Sequence, residues 1–252
     1  MKKSFLSLII VSLLLVGCHS TSKDEKYNAM SPNDIYAQGV KNVKRKNFDQ
    51  AIEDFEALES RYPFGEYADK AQLGAVYSYY LNEDYPQALP AVERFIRMYP
   101  RHPHVDYAYY MQGLIHFSEA MGFFSRYLPM EREDRDPTPA KKALGVFTLL
   151  TQQYPNSPYA NDAKQRIIYL RNLIAQNELV AARFYLRKGA YLAAVNRASF
   201  VVTNFDGSPS LAEALAIMVE AYREMNLPDL ANDAQRVLVL NYPDSEFAKE
   251  VS

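Results

Sequence analysis

The chain has 252 residues with 30 acidic and 28 basic side chains, a formal charge of −2, which sets it apart from nucleic-acid binders and their basic excess. Hydrophobic residues make up 48%, enough for a substantial core and too many for a globally disordered chain. One cysteine excludes an internal disulfide framework or a cysteine-cluster metal site, and four histidines leave little for histidine-based catalysis.

Lys2 and Lys3 open the chain, and Phe5 to Val16 is a nearly unbroken apolar run. Its charge, length and position are those of a secretory signal, over residues 1–17. The run is too short for a bilayer span, which needs roughly 20 apolar residues. It ends in Leu15-Val16-Gly17-Cys18, a string that resembles a bacterial lipobox, and the chain's sole cysteine stands in it. The expectation is a covalent lipid on Cys18, which becomes the first residue of the mature protein. His19 follows instead of Asp, which by resemblance to known sorting behaviour favours the outer membrane. Residues 18–30 are polar and aperiodic after the cysteine. They read as a tether reaching up to about 40 Å when extended.

From residue 31 the chain repeats itself. Tyr-Pro recurs at Tyr62-Pro63, Tyr99-Pro100, Tyr154-Pro155 and Tyr242-Pro243, with Phe205-Asp206 a degenerate copy. Eleven residues before each aromatic stands an alanine: Ala51, Ala88, Ala143, Ala194 and Ala231. Seven residues after each alanine stands Leu58, Phe95, Leu150, Val201 or Leu238. Ala51-x₃-Phe55…Pro63 and Ala143-x₃-Phe147…Pro155 match the second helix of a tetratricopeptide repeat in full. The copies at Ala88 and Ala231 keep the proline but carry Val92 and Gln235 at the Phe position. A small alanine lets two helices approach closely, and proline, lacking an N–H, disfavours helix in the residue before it.

The expected fold is all-α: an α-solenoid of five tetratricopeptide-like helix pairs, about ten helices. Ser31-Pro32-Asn33-Asp34 offers a helix cap, a proline in the first turn and an early acid. Asn156-Ser157-Pro158 and Asp206-Gly207-Ser208-Pro209 offer similar starts. Two spacings exceed the period. One places a charged loop near residues 123–137. The other falls in 159–188, which holds neither Gly nor Pro before Gly189. About 14 added residues are close to four helical turns, so one long helix of roughly 45 Å links repeats 1–3 (31–157) to repeats 4–5 (158–250).

Catalytic patterns are scarce. His102-Pro-His104-Val-Asp106 has the form of a binuclear metallohydrolase motif, but it follows the turn at Tyr99-Pro100, and Tyr107 stands where a further histidine is needed. It reads as a solvated turn before a helix, and no metal ligand or catalytic residue is assigned. No phosphate loop or nucleophile elbow occurs. The run Glu131 to Asp136 mixes signs and reads as an exposed loop. What remains is surface. Projecting the repeat register puts Tyr36 and Val40, Tyr77 and Tyr80, then Tyr107, Tyr110 and Phe117 on the concave face. These rings read either as an aromatic groove for an extended peptide or as packing between helices.

Arg61-Tyr-Pro-Phe-Gly65, Arg94-Phe-Ile-Arg97, His102-Pro103, Asp106-Tyr107, Arg135-Asp-Pro137, Tyr154-Pro-Asn-Ser157 and Val195-Asn-Arg197, behind a lipobox, resemble the BamD family of lipoproteins over residues 15–245. That family serves the outer-membrane β-barrel assembly machinery. The resemblance implies a non-enzymatic scaffold on the periplasmic face of the outer membrane. Its amino-terminal repeats would take the C-terminal signal of unfolded barrel proteins, which is rich in aromatics. Its carboxy-terminal repeats would dock on a POTRA domain of BamA, with BamC and BamE as further partners. Arg197 falls where the family has an arginine facing BamA. A different envelope adaptor, such as a secretin pilotin or a cell-wall synthesis coordinator, would share the repeats but not the BamA complex. A periplasmic hydrolase using His102, His104 and Asp106 would need a metal.

Overall fold

The computed structural model describes residues 26–122 and 136–251. The signal segment 1–17, Cys18, the start of the tether and loop residues 123–135 lie outside the described residues. Contacts divide the chain into two compact units, Met1–Asp84 and Tyr85–Ser252. All regular structure among the described residues is helical. Unit 1 holds α1 (Pro32–Lys44), α2 (Phe48–Arg61) and α3 (Ala68–Leu81). Unit 2 holds α4 (Tyr85–Met98), α5 (Val105–Met121), α6 (Thr138–Gln153), α7 (Ala160–Arg187), α8 (Tyr191–Asn204), α9 (Leu211–Glu224), α10 (Pro228–Asn241) and α11 (Glu246–Val251). Within each unit a helix packs on its neighbours in the chain, and α1 also meets α3, as α7 meets α9. Such nearest-neighbour packing is how helical repeats stack.

The five alanine-marked segments are α2, α4, α6, α8 and α10. Ala51, Ala88, Ala143 and Ala194 are fully buried, and Ala231 is 2% exposed. Leu58, Phe95, Leu150, Val201 and Leu238, two turns on, are all at 0%. The expected long helix is α7, whose 28 residues span about 42 Å. Its inner face runs through Ala163, Leu170, Ile174, Ala175, Leu179 and Ala182.

The helix pairs close on rings lodged against glycines. Gly39 on α1 and Gly74 on α3 both face the Phe55 ring of α2, and a Cβ on Gly74 would lie 2.7 Å from Phe55 Cε1. Gly113 on α5 meets the Phe147 ring of α6 in the same way. Burying one such ring stabilises by roughly 1.5–3 kcal/mol.

Two turns recur. Between the helices of a pair the chain enters the left-handed region at Lys46 (φ 62), Glu83 (φ 58), Gly189 (φ 72) and Asn226 (φ 57). Each lies five residues before its marker alanine, and the N–H after it returns to the helix: Asn47 to the Asn42 carbonyl, Asp84 to Tyr79, Ala190 to Tyr185, Leu227 to Tyr222. This is the helix-ending motif that glycine or asparagine usually supplies. Between pairs, the aromatic leaves the helix at φ −127, ψ 62 (Tyr62), −128, 60 (Tyr154), −122, 47 (Phe205) and −134, 49 (Tyr242). Phe205 has no proline after it, so proline is not the only cause of the stop. The aromatic carbonyl accepts from the residue three on: His102, Ser157, Ser208 and Ser245.

Three local expectations are modified. Ser31 caps α1 as expected, accepting from Asp34 N at 3.2 Å. Ser157 and Ser208, by contrast, accept from Tyr159 N and Ser210 N, forming turns ahead of helices that start at Ala160 and Leu211. Residues 26–30, at the end of the expected tether, are docked on unit 1. Tyr27 is 4% exposed, and its hydroxyl donates to Asp54 Oδ1 at 2.7 Å. Asp54 is fully buried, so its remaining lone pairs must be met. Lys26 Nζ at 2.9 Å, Gln38 Nε2 at 2.8 Å and Asn42 Nδ2 at 2.6 Å do so. The end of the fifth repeat, beyond its second helix α10, adds a further short helix, α11. Phe247 and Val251 cover a cluster of Ala212, Leu215 and Leu238, while Gln235 Nε2 and Arg223 Nη2 both donate to the Val251 carbonyl.

Gly74→Ala is expected to destabilise by about 1–3 kcal/mol of overpacking, which exceeds its helix-propensity gain of about 1 kcal/mol. Gly145→Ala in α6, where a Cβ meets nothing within 4 Å, is expected to stabilise by about 0.5–1 kcal/mol. Urea unfolding of both variants checks the contrast, and a Gly74→Ala protein as stable as its parent would contradict the ring-on-glycine account.

Candidate functional site

The aromatic positions expected on a concave face have different surroundings in the two units. In unit 1, Tyr36 is half-buried, its ring 5.9 Å from Phe55 and 5.6 Å from Tyr67. It therefore packs between helices, as does Val40 beside the Ala51–Phe55–Ala75 cluster. Tyr77 on α3 is 38% exposed, and Tyr80 one turn on is half-buried.

In unit 2 the expected rings of α5 meet a second row on α7. Tyr107 lies 5.4 Å from Tyr159, and Tyr110 stacks on Tyr159 at 4.7 Å with 19° between planes. Phe117 lies 5.7 Å from Tyr169, with the Arg166 guanidinium 4.7 Å over its ring. Between these pairs Asp162 Oδ2 accepts from the Tyr110 hydroxyl at 2.7 Å and from Arg166 Nε at 2.6 Å. The result is a half-exposed aromatic ledge with one ion pair set into it. Burial pushes the Tyr110 phenol up to about 12, helped by the Asp162 carboxylate it donates to. Burial would raise Asp162, but the Arg166 and Tyr110 hydrogen bonds outweigh it and hold the carboxyl below its ordinary range. The α7 half of the ledge escaped the sequence reading, although Tyr159, Asp162, Arg166 and Tyr169 follow one another at helical spacing.

Arg197 lies at a second feature of unit 2. Its Nη1 donates to Glu178 Oε2 at 2.8 Å, and Lys141 Nζ reaches Glu178 Oε1 at 3.1 Å. The Glu178 side chain is 4% exposed, while those of Arg197 and Lys141 are 48% and 47% exposed. One buried acid thus orients two half-exposed cations from different helices. They line an open cleft of about 570 Å³ with Tyr185, Ala193, Asn196 and Phe200. The signal for Glu178 was an acid on the otherwise apolar face of α7. Asp54 among Ala51, Phe55 and Leu58 is the same signal on α2.

The His102–His104–Asp106 segment is committed to its turn. His102 Nδ1 accepts from the His104 N–H at 3.1 Å, filling the role that serine has in later copies. Asp106 Oδ2 accepts from Ser157 Oγ at 2.7 Å and Oδ1 from the Tyr107 N–H. Among the described residues no three acids, histidines or cysteines gather as a metal would require.

The model of the outer membrane lipoprotein family YfiO matches residues 28–238. An outer membrane protein assembly factor BamD from Neisseria meningitidis serogroup B is 36% identical, covering 98% of this chain and 94% of its own. The Vibrio cholerae BamD is 37% identical, covering 96% and 99%, and that of Haemophilus influenzae 33%, covering 96% and 92%. The chain belongs to the BamD family. Among solved structures, PilW, a type IV pilus biogenesis factor, aligns at a TM-score of 0.37 with 12% identity over 87% of this chain and 97% of its own, too distant to bear on function. The YfiO family match begins at Asn28, inside the docked strap of residues 26–30, and spans both the ledge and the Arg197 cleft. Among the described residues no helix is long and apolar enough to cross a membrane.

The raised Tyr110 makes a pH prediction. Its neutral form is favoured in the fold, so its contribution to stability is intact below pH 10 and is lost as pH rises through about 12. Unfolding free energy is expected to fall less steeply over that window in Tyr110→Phe than in the parent chain. Parallel slopes in denaturant titrations would contradict the Tyr110–Asp162 contact.

Proposed function

We propose that this chain is a non-enzymatic assembly factor for outer-membrane proteins, anchored by a lipid on Cys18 at the periplasmic face of the outer membrane. The aromatic ledge of α5 and α7 takes the C-terminal signal of an unfolded β-barrel protein. The Arg197 cleft docks on a POTRA domain of BamA, and BamC and BamE attach to the same scaffold. The observation that carries this reading is the ledge, where the ring trio Tyr107, Tyr110 and Tyr159 and the ring pair Phe117 and Tyr169 are joined through Asp162 and Arg166.

The chemistry suits the task. An unfolded barrel strand offers aromatic side chains and unpaired backbone groups. Half-exposed tyrosines give rigid contact area at small entropic cost. The Asp162–Arg166 pair sets an acceptor beside a donor, which matches the N–H and C=O of an extended peptide. Rings held by their neighbours need little ordering on binding, which favours affinity. At the cleft, Glu178 balances one of the two cations, so a partner carboxylate meets a net positive surface with Phe200 beside it. Work is done by position. A lipid anchor keeps client and insertion subunit at high effective concentration without any chemical step.

Tyr110→Ala combined with Tyr159→Ala removes the stacked pair and is expected to weaken binding of an aromatic-terminated barrel peptide roughly tenfold. Fluorescence anisotropy reads the affinity, and an unchanged Kd would remove the ledge from the client site. Arg197→Gln is expected to diminish co-purification with BamA while shifting the melting temperature little, since Lys141 still pairs with Glu178. Arg197→Glu is a poorer test because it sets a second carboxylate against the buried Glu178. Undiminished capture of BamA by the Gln variant would separate Arg197 from that interface.

A further inference from the structure

Unit 1 leaves one large apolar side chain almost wholly in water. Phe64 is 91% exposed, the most of the large hydrophobic residues recorded as exposed among the described residues. It stands in the loop between α2 and α3, before Gly65, whose φ of +117 turns the chain. Both ends of the loop are fastened. The Tyr62 hydroxyl donates to the Met30 carbonyl at 3.3 Å, and the Tyr67 hydroxyl to Asn33 Oδ1 at 3.0 Å. Lys70 pairs with Glu66 at 3.1 Å and lies over the Tyr67 ring. Phe64 is therefore held outward by a fastened loop.

The loop adjoins the strap that comes from the membrane end of the chain. Asn28 Oδ1 accepts from Arg61 Nη1 at 2.8 Å, and Lys26 is fixed to Asp54, two turns back along α2 and about 10 Å from Arg61. Only residues 19–25 separate Lys26 from Cys18, so the span between them is at most about 27 Å. A lipid on Cys18 thus confines this end of unit 1 to the bilayer surface. Cations and acids are mixed around the loop, with Arg61 and Lys70 beside Glu66 and Asp69, so lipid headgroups of either net charge are tolerated.

We propose that Phe64 inserts into the interfacial layer of the membrane to which Cys18 is anchored, as a second, non-covalent foothold. The inference rests on the lipid anchor proposed above. A single flexible tether restrains distance but not tilt. A ring seated in the headgroup layer, on a loop braced by Tyr62 and Tyr67, fixes which face of unit 1 meets the lipid.

The chain has no tryptophan and one cysteine, which makes the test clean. The chain from Cys18 onward, carrying Phe64→Trp, is coupled through the Cys18 thiol to a maleimide lipid in phosphatidylethanolamine–phosphatidylglycerol vesicles. This anchors it whether or not the cell lipidates Cys18, a question that palmitate labelling answers separately. Expected are a blue-shifted tryptophan emission and a loss of roughly half its intensity when the acyl chains are brominated near the headgroup, since this quenching needs near contact. A water-like emission maximum with no quenching would overturn the proposal. So would an emission that ignores brominated lipid but shifts on adding an aromatic-terminated barrel peptide, which would make Phe64 a client contact.

Discussion

The structure depends on the close approach of two helices at a small residue, sealed by one large side chain. Ala51, Ala88, Ala143, Ala194 and Ala231 supply the small residue in each copy. Where the large side chain is a phenylalanine, the opposing helix must give up its Cβ, as Gly39 and Gly74 do for Phe55 and Gly113 does for Phe147. Interiors at crystal-like density leave no room for compromise at such a point. The alternation of ring and glycine therefore sets how near the helices come, and that spacing fixes where the outward rows fall. Tyr107 and Tyr110 can stack on Tyr159 only because α5, α6 and α7 are held at this distance.

Against that packing, the polar interior is sparse and deliberate. Asp54 on α2 and Glu178 on α7 each occupy a position that the helix period assigns to the core. A buried carboxylate is tolerated when every lone pair finds a donor. Each collects donors from separate elements: Asp54 from the strap and α1, Glu178 from α6 and α8. Apolar contacts alone permit small slippages between helices. These acids specify one register, because a shifted partner would strand a charge.

Much of this was legible in the chain. The marker alanines, the residues seven on and the aromatic stops identified the second helix of every pair, and the stretch without Gly or Pro identified α7. Local periodicity reports what one helix buries. It does not report what faces that helix, which is why Tyr36 could be placed on a face but not told apart from a core residue. It is also why the Tyr159–Tyr169 row went unnoticed. The left-handed turns were hidden for a different reason. Lys46 and Glu83 carry no turn signature, and their conformation follows from the hydrogen bonds that Asn47 and Asp84 return to the preceding helix. The strap resembles tether in the sequence because Lys26 and Tyr27 look polar in isolation, and only the buried Asp54 gives them a destination. Membership of the BamD family agrees with the resemblance drawn from the repeat motifs.

Repeat stacks have an inherent hazard, since the last pair offers the same docking surface that every internal pair uses to receive its successor. Here α11 occupies that slot. Phe247 and Val251 take the contacts that another copy's first helix would seek, and the Val251 carbonyl is already claimed by Arg223 and Gln235. Six residues are thus enough to cover the apolar surface that α9 and α10 would otherwise leave open. Without them, two copies would meet through exposed apolar ends, a head-to-tail contact that does not close and so propagates into fibres.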